Sequence, residues 1–166
     1  MKQTPTTPPV PVTFPHPLRM LLVDDSVVLL ERLRAYLKTQ PMLQVVGTAM
    51  DGGEALHMTE SLGPDLVLMD LRMPVMDGLQ AMAILRRRMP NMRIVIMTME
   101  DSATAEAEAR AQGAHGFIWK PRIMSDLVTE LRRAFLSDHT RDERSGSPRD
   151  STVTNVTKRL EGTADQ

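Results

Sequence analysis

Pro64-Asp65-Leu66-Val67-Leu68-Met69-Asp70-Leu71-Arg72-Met73-Pro74-Val75-Met76-Asp77-Gly78 is the stretch that decides the fold. After Asp65 the residues are apolar without interruption as far as Met69. A short apolar run closed off by turn residues reads as a strand buried on both faces. The spacing predicts a strand over 65–69, ended by the acid Asp70. Asp77-Gly78 then opens a helix whose Met82 and Leu85 share a face, ending near Met89-Pro90.

The same alternation repeats on either side. Strands are expected at 18–23, 44–49, 93–97 and 116–119. Helices are expected after Asp25-Ser26, which can cap one, from 51 to about 61, from 101 to 112 and from 125 to about 136. Leu30, Leu33 and Leu37 mark one face of the first helix, which Pro41 stops. Gly63-Pro64 closes the second, and Gly113 is placed to end the fourth. Leu127, Leu131, Ala134 and Phe135 line one face of the last. Five strands and five helices in strict alternation imply an α/β fold with a doubly wound parallel sheet.

Composition narrows the function. The chain has 166 residues, net charge -1, no cysteine and 14 methionines. The charge gives no footing for bulk nucleic-acid binding. The lack of cysteine excludes disulfides and thiol-bound metals. No apolar run approaches the roughly 18 residues of a membrane span. Residues 1–17 hold six of the 12 prolines and read as an extended, disordered arm without the apolar core of a signal peptide. The foldable part is 18–136. Residues 137–166 are polar and read as a disordered tail, although Val153, Val156 and Leu160 share a helical spacing.

Polar groups stand where the predicted strands stop: Asp24 and Asp25 after the first, Asp70 after the third, Thr98 after the fourth, Lys120 after the fifth. In an open parallel sheet those ends form the ligand crevice. Three carboxylates suit Mg²⁺, a hard ion that takes oxygen ligands. Asp25 and Asp70 are the expected direct ligands, Asp24 a ligand through water, and the backbone carbonyl of Arg72 a further oxygen. A carboxylate is also a nucleophile toward phosphorus. Lys120 would offset the charge repulsion, and Thr98 would donate a hydrogen bond to a phosphoryl oxygen.

Leu22-Val23-Asp24-Asp25-Ser26, the 64–78 stretch, Ile94-Val95-Ile96-Met97-Thr98 and Gly113-Ala114-His115-Gly116-Phe117-Ile118-Trp119-Lys120-Pro121 together closely resemble the receiver domain of two-component response regulators. The resemblance implies a flavodoxin-like sheet of order 2-1-3-4-5. It implies Asp70 as phosphoacceptor, Asp24 and Asp25 holding Mg²⁺, Thr98 as switch hydroxyl and Phe117 as switch aromatic. Lys120 would contact the phosphoryl group, with Lys120-Pro121 resembling the family's cis peptide. The implied partners are a sensor histidine kinase or histidine phosphotransfer protein and a downstream protein target. A homodimer through the fourth helix, fifth strand and fifth helix is open, and the implied compartment is the cytoplasm.

Three features depart from the family pattern. Met99 follows Thr98 where a small residue is usual, which predicts restricted access for small donors. Arg72 and Glu100 flank the expected path of the attacking water and could pair over it. Phe117 stands where some members have tyrosine. An aspartate-nucleophile phosphatase of the haloacid dehalogenase type also uses Asp, Thr, Lys and Mg²⁺, but it needs a second Asp two residues after the nucleophile. Arg72 stands there instead, so the chain reads as a phosphoacceptor, not a turnover enzyme. Residues 137–166 are too short and polar for a DNA-binding module with its own core. The expectation is a stand-alone receiver without direct DNA binding; the alternative is a fragment or partner-dependent form of a transcriptional regulator.

Overall fold

A computed structural model describes residues 16–136. The proline-rich arm up to residue 15 and the polar tail after 136 lie outside the described residues. In chain order the elements are β1 (Leu18–Val23), α1 (Val27–Leu37), β2 (Leu43–Ala49), α2 (Gly52–Leu62), β3 (Leu66–Asp70), α3 (Gly78–Arg88), β4 (Arg93–Thr98), α4 (Ala103–Ala111), β5 (Gly116–Trp119) and α5 (Ile123–Leu136). A single 3₁₀ turn, Lys120–Arg122, joins β5 to α5. All ladders are parallel and the sheet order is β2-β1-β3-β4-β5. This is the flavodoxin-like arrangement, with β1 and β3 side by side where the winding reverses.

Side chains alternate across the pleat, so each strand feeds two cores. Met20, Leu22, Leu66, Leu68, Val95, Met97 and Ile118 pack under α1 and α5, against Leu30, Leu33, Leu127 and Leu131. Leu21, Val67, Met69, Ile94 and Ile96 pack on the other face, against Ala55, Ala81, Met82, Leu85, Ala105 and Ala109 of α2, α3 and α4. Both faces of β3 are buried along its whole length. Burying a Leu, Val or Met side chain stabilises by roughly 1.5–3 kcal/mol, so the site-bearing strand sits on the strongest part of the molecule.

Several ends differ from those the sequence implied, each for a local reason. Ser26 alone caps α1, its Oγ accepting from the Leu29 amide, which leaves Asp25 free of that role. The helix ends at Leu37, ahead of Pro41, because Thr39 and Gln40 close tight turns onto Tyr36 and Leu37. Asp65 stays outside β3: its carboxylate accepts from the Arg19 amide and its own amide donates to the Arg19 carbonyl. α4 starts at Ala103, two residues after the expected 101, with Ser102 as its cap. Ser125 caps nothing, since the 3₁₀ turn runs straight into α5 and its hydroxyl donates to the Arg122 carbonyl. Gly113, at φ 103°, does end α4 in the left-handed region that favours glycine. No helix among the described residues is long and apolar enough to cross a membrane.

Candidate functional site

The loop after β3 folds back on its own helix. Gly78 donates its amide to the Leu71 carbonyl, and a Cβ at that position would lie 2.1 Å from the Asp70 carbonyl oxygen. Only glycine allows this approach. Asp77 then caps α3 in a reciprocal capping box with Gln80. Between them Val75 is held at φ 67° and is 97% exposed, with the Met76 amide donating across it to the Pro74 carbonyl. A β-branched residue in that region is strained. The strained turn fixes the segment that carries Arg72 past the end of β3.

Asp70, 3% exposed, is the last residue of β3. Beside it Asp24 is fully buried, its Oδ1 accepting from the Ser26 amide. Asp25 is exposed at the rim. Carboxylate oxygens of Asp24, Asp25 and Asp70 all lie within 4.8 Å of one another. The Lys120 Nζ reaches in from the end of β5 and stands 2.7 Å from Oδ2 of both Asp24 and Asp70. Both are close charge-assisted contacts, and the one to Asp24 is made at an oxygen with no other polar partner.

Burial is the largest influence on Asp70 and raises its carboxyl above the usual range; the charge of Asp24 adds to this, while Lys120 and the Arg72 backbone amide oppose it. Burial works against the Lys120 ammonium too, but Asp24 and Asp70 outweigh it and hold its pKa above the ordinary value. With Lys120 protonated, three carboxylates leave a net charge of about -2 at this cluster. A divalent cation would balance that charge, and an all-oxygen donor set suits Mg²⁺. The residues present therefore fit the ion. Lys120-Pro121 does not follow the family's cis peptide: no peptide bond among the described residues is cis. Lys120 is aimed instead by its place at the head of the 3₁₀ turn and by its two ion pairs.

Thr98 is fully buried at the end of β4, with Oγ1 accepting from the Glu100 amide. Its hydroxyl proton is left to donate elsewhere. Phe117 is half-buried on the α4 side, packed against the core that holds Ala105 and Ala109. Arg72 and Glu100 do meet: Nε and Nη2 each donate to Oε1 at 3.2 Å, although both side chains are largely in solvent. Met99 is 66% exposed at the rim. The structure thus brings Asp24, Asp25, Asp70 and Lys120 into one cluster, sets Thr98 at the neighbouring strand end, and leaves Arg72, Glu100 and Met99 around the opening. It adds one residue the sequence reading passed over. Trp119 donates its indole N–H to the Met99 carbonyl at 3.2 Å. Its position as the residue directly before Lys120, and as the one tryptophan in the chain, was the available signal.

Comparison with known proteins points the same way. The family model for the response regulator receiver domain matches residues 20–132. The nitrate/nitrite response regulator protein NarL of Escherichia coli is 34% identical over 119 residues, covering 72% of this chain and 55% of that protein. A protein-glutamate methylesterase/protein-glutamine glutaminase of Methanococcoides burtonii is 34% identical over 129 residues, of which the match covers 37%. The chain therefore spans about half or less of these curated relatives. Among solved structures, the signal receiver domain of the putative response regulator NarL from Mycobacterium tuberculosis superposes with a TM-score of 0.64 at 31% identity, covering 76% of this chain and 98% of that one. With this fold, this acidic cluster and these matches together, the chain belongs to the response regulator receiver domain family.

Proposed function

We propose that Asp70 accepts a phosphoryl group from a phosphohistidine of a sensor histidine kinase or phosphotransfer protein, and that the chain then signals through altered protein contacts. The observation that carries this is the Lys120 ammonium at 2.7 Å from both the Asp70 and Asp24 carboxylates, beside Asp25, at the C-terminal ends of the strands. An oxygen of Asp70 attacks phosphorus, the phosphorus–nitrogen bond breaks, and the electron pair leaves with the imidazole. Lys120 is placed to offset the negative charge gathering between carboxylate and phosphoryl oxygens. Asp24, Asp25, Asp70 and the Arg72 carbonyl would hold Mg²⁺, which when bound supplies the remaining positive charge.

The product adds roughly 1.5 to 2 negative charges and three acceptor oxygens. Thr98 has a hydroxyl proton to give to one of them. Its turn toward the phosphoryl group frees space on the α4 side, into which Phe117 can swing. The surface so altered is that of α4, β5 and α5, offered to a downstream protein or to a second copy of the chain. That α4 buries only Ala105 and Ala109 supports this reading, because a weakly anchored helix moves at low cost. On this reading the chain acts in a cytoplasmic two-component pathway as a phosphoacceptor, not as an enzyme that turns over substrate.

Incubation with Mg²⁺ and acetyl phosphate or phosphoramidate, read by intact mass, tests the proposal. One phosphoryl adduct is expected in the wild type with metal, and none in Asp70→Asn or in chelator. An adduct of equal yield in Asp70→Asn would overturn it.

A further inference from the structure

We propose that Trp119 is a positioning residue, a latch whose indole N–H holds the rim between β4 and α4 in its unphosphorylated arrangement; this rests on Asp70 being the phosphoacceptor. The sheet register sets Trp119 directly opposite Thr98, one strand away. Pleat alternation puts its side chain on the same face as Phe117, two residues earlier, and both are half-buried where Gly116 and Ile118 are buried. From there the indole reaches one residue beyond Thr98 and donates to the Met99 carbonyl.

The segment from Thr98 to Glu100 is therefore tied at three points. Trp119 holds the Met99 carbonyl, Thr98 Oγ1 holds the Glu100 amide, and Arg72 holds the Glu100 carboxylate. Thr98 cannot turn its hydroxyl toward a phosphoryl oxygen without disturbing its bond from the Glu100 amide. The peptide between Met99 and Glu100 then has to shift, and its oxygen is the atom Trp119 grips. The ion pair of Arg72 with Glu100 is exposed and weakens with salt. The indole bond is neutral to neutral and does not. Like the bond from the Glu100 amide to Thr98 Oγ1, it restrains the switch segment independently of salt.

A bond of this kind carries roughly 0.5–1.5 kcal/mol net, which converts to about 2- to 10-fold in an equilibrium constant. Trp119→Phe keeps an aromatic ring and removes the donor. Titration with Mg²⁺ and beryllofluoride, a carboxylate-bound mimic of the phosphoryl group, reads the effect by calorimetry at low and high salt. Trp119→Phe is expected to bind about 2- to 10-fold more tightly than wild type, by the same factor at both salt concentrations. Equal or weaker binding in the variant would overturn the latch and leave the phosphoacceptor reading in place. Failure of the wild type itself to bind would overturn both. A second readout needs no variant at position 119: the chain has one tryptophan, so its emission reports this indole alone. Emission should shift to longer wavelength when wild type binds beryllofluoride and stay put in Asp70→Asn. An unchanged spectrum in the bound wild type would contradict the latch.

Discussion

At the scale of single residues, Lys120 is the group on which the site depends. It partly offsets two carboxylates that are otherwise buried side by side, and its own side chain is only 10% exposed. Removing one partner of a buried ion pair costs roughly 3–5 kcal/mol, because the charges left behind are uncompensated. Lys120→Ala is expected to lose stability of about that size in urea unfolding without metal, and to recover part of it when Mg²⁺ is added. A loss under about 1 kcal/mol would show that the pair behaves like a surface pair. Met99 makes a kinetic prediction. It follows Thr98 directly, at the strand end beside that of Asp70, and its side chain is exposed. Met99→Ala is expected to speed adduct formation from acetyl phosphate several-fold, a barrier change of about 1 kcal/mol. An unchanged rate would mean that the exposed methionine leaves the entrance open.

At the scale of elements, the helices and strands were legible in the sequence because their interiors obey a single period. The uninterrupted apolar run of β3 and the Leu30, Leu33, Leu37 stripe of α1 state their own structure. Their ends were less legible. Whether Asp25 or Ser26 caps α1 depends on which oxygen meets a free amide, and both candidates are good caps. The start of α5 was hidden because the 3₁₀ turn at Lys120 has no periodic signature of its own. The turn at Val75 was equally hidden, since nothing about a valine announces φ 67°. Left-handed backbone costs a non-glycine residue about 1–2 kcal/mol, part of which glycine returns as entropy of the unfolded chain. Val75→Gly, with a side chain that is otherwise in solvent, is expected to raise stability by about 0.5–1 kcal/mol in thermal or urea unfolding. A destabilised variant would mean that the entropy glycine adds to the unfolded chain outweighs the strain relieved.

At the scale of the whole molecule, the site was legible because a doubly wound sheet brings the C-terminal ends of strands together whatever lies between them. Asp24, Asp70, Thr98 and Lys120 are far apart in the chain, and it is the order β2-β1-β3-β4-β5 that makes them neighbours. The contacts of the rim were not legible, because they join loops whose courses follow no period; the Trp119 bond to Met99 is of that kind. Collecting carboxylates at one point also shapes stability against pH. The folded state holds the Asp70 proton more tightly than the unfolded chain, whose value is near 3.8. Stability therefore falls as pH rises from 3.8 through the raised pKa. Lys120 acts at the other end: its contribution is complete below 10.5 and is lost as pH rises through its raised pKa. Asp70→Asn is expected to melt at higher temperature than wild type at pH 7, with the gap closing toward pH 4. A gap of constant size across that range would show that Asp70 titrates as it does in the unfolded chain.

The central claim is that the carboxylate of Asp70 itself becomes an acyl phosphate. Borohydride reduces an acyl phosphate to an alcohol and so marks the residue that carried it. The protein would be incubated with Mg²⁺ and acetyl phosphate, treated with borohydride, digested and sequenced by mass spectrometry. The account predicts homoserine at position 70 and aspartate unchanged at positions 24 and 25. Homoserine at either of those positions, or reduction at none of the three in a sample whose intact mass carries the phosphoryl group, would contradict it.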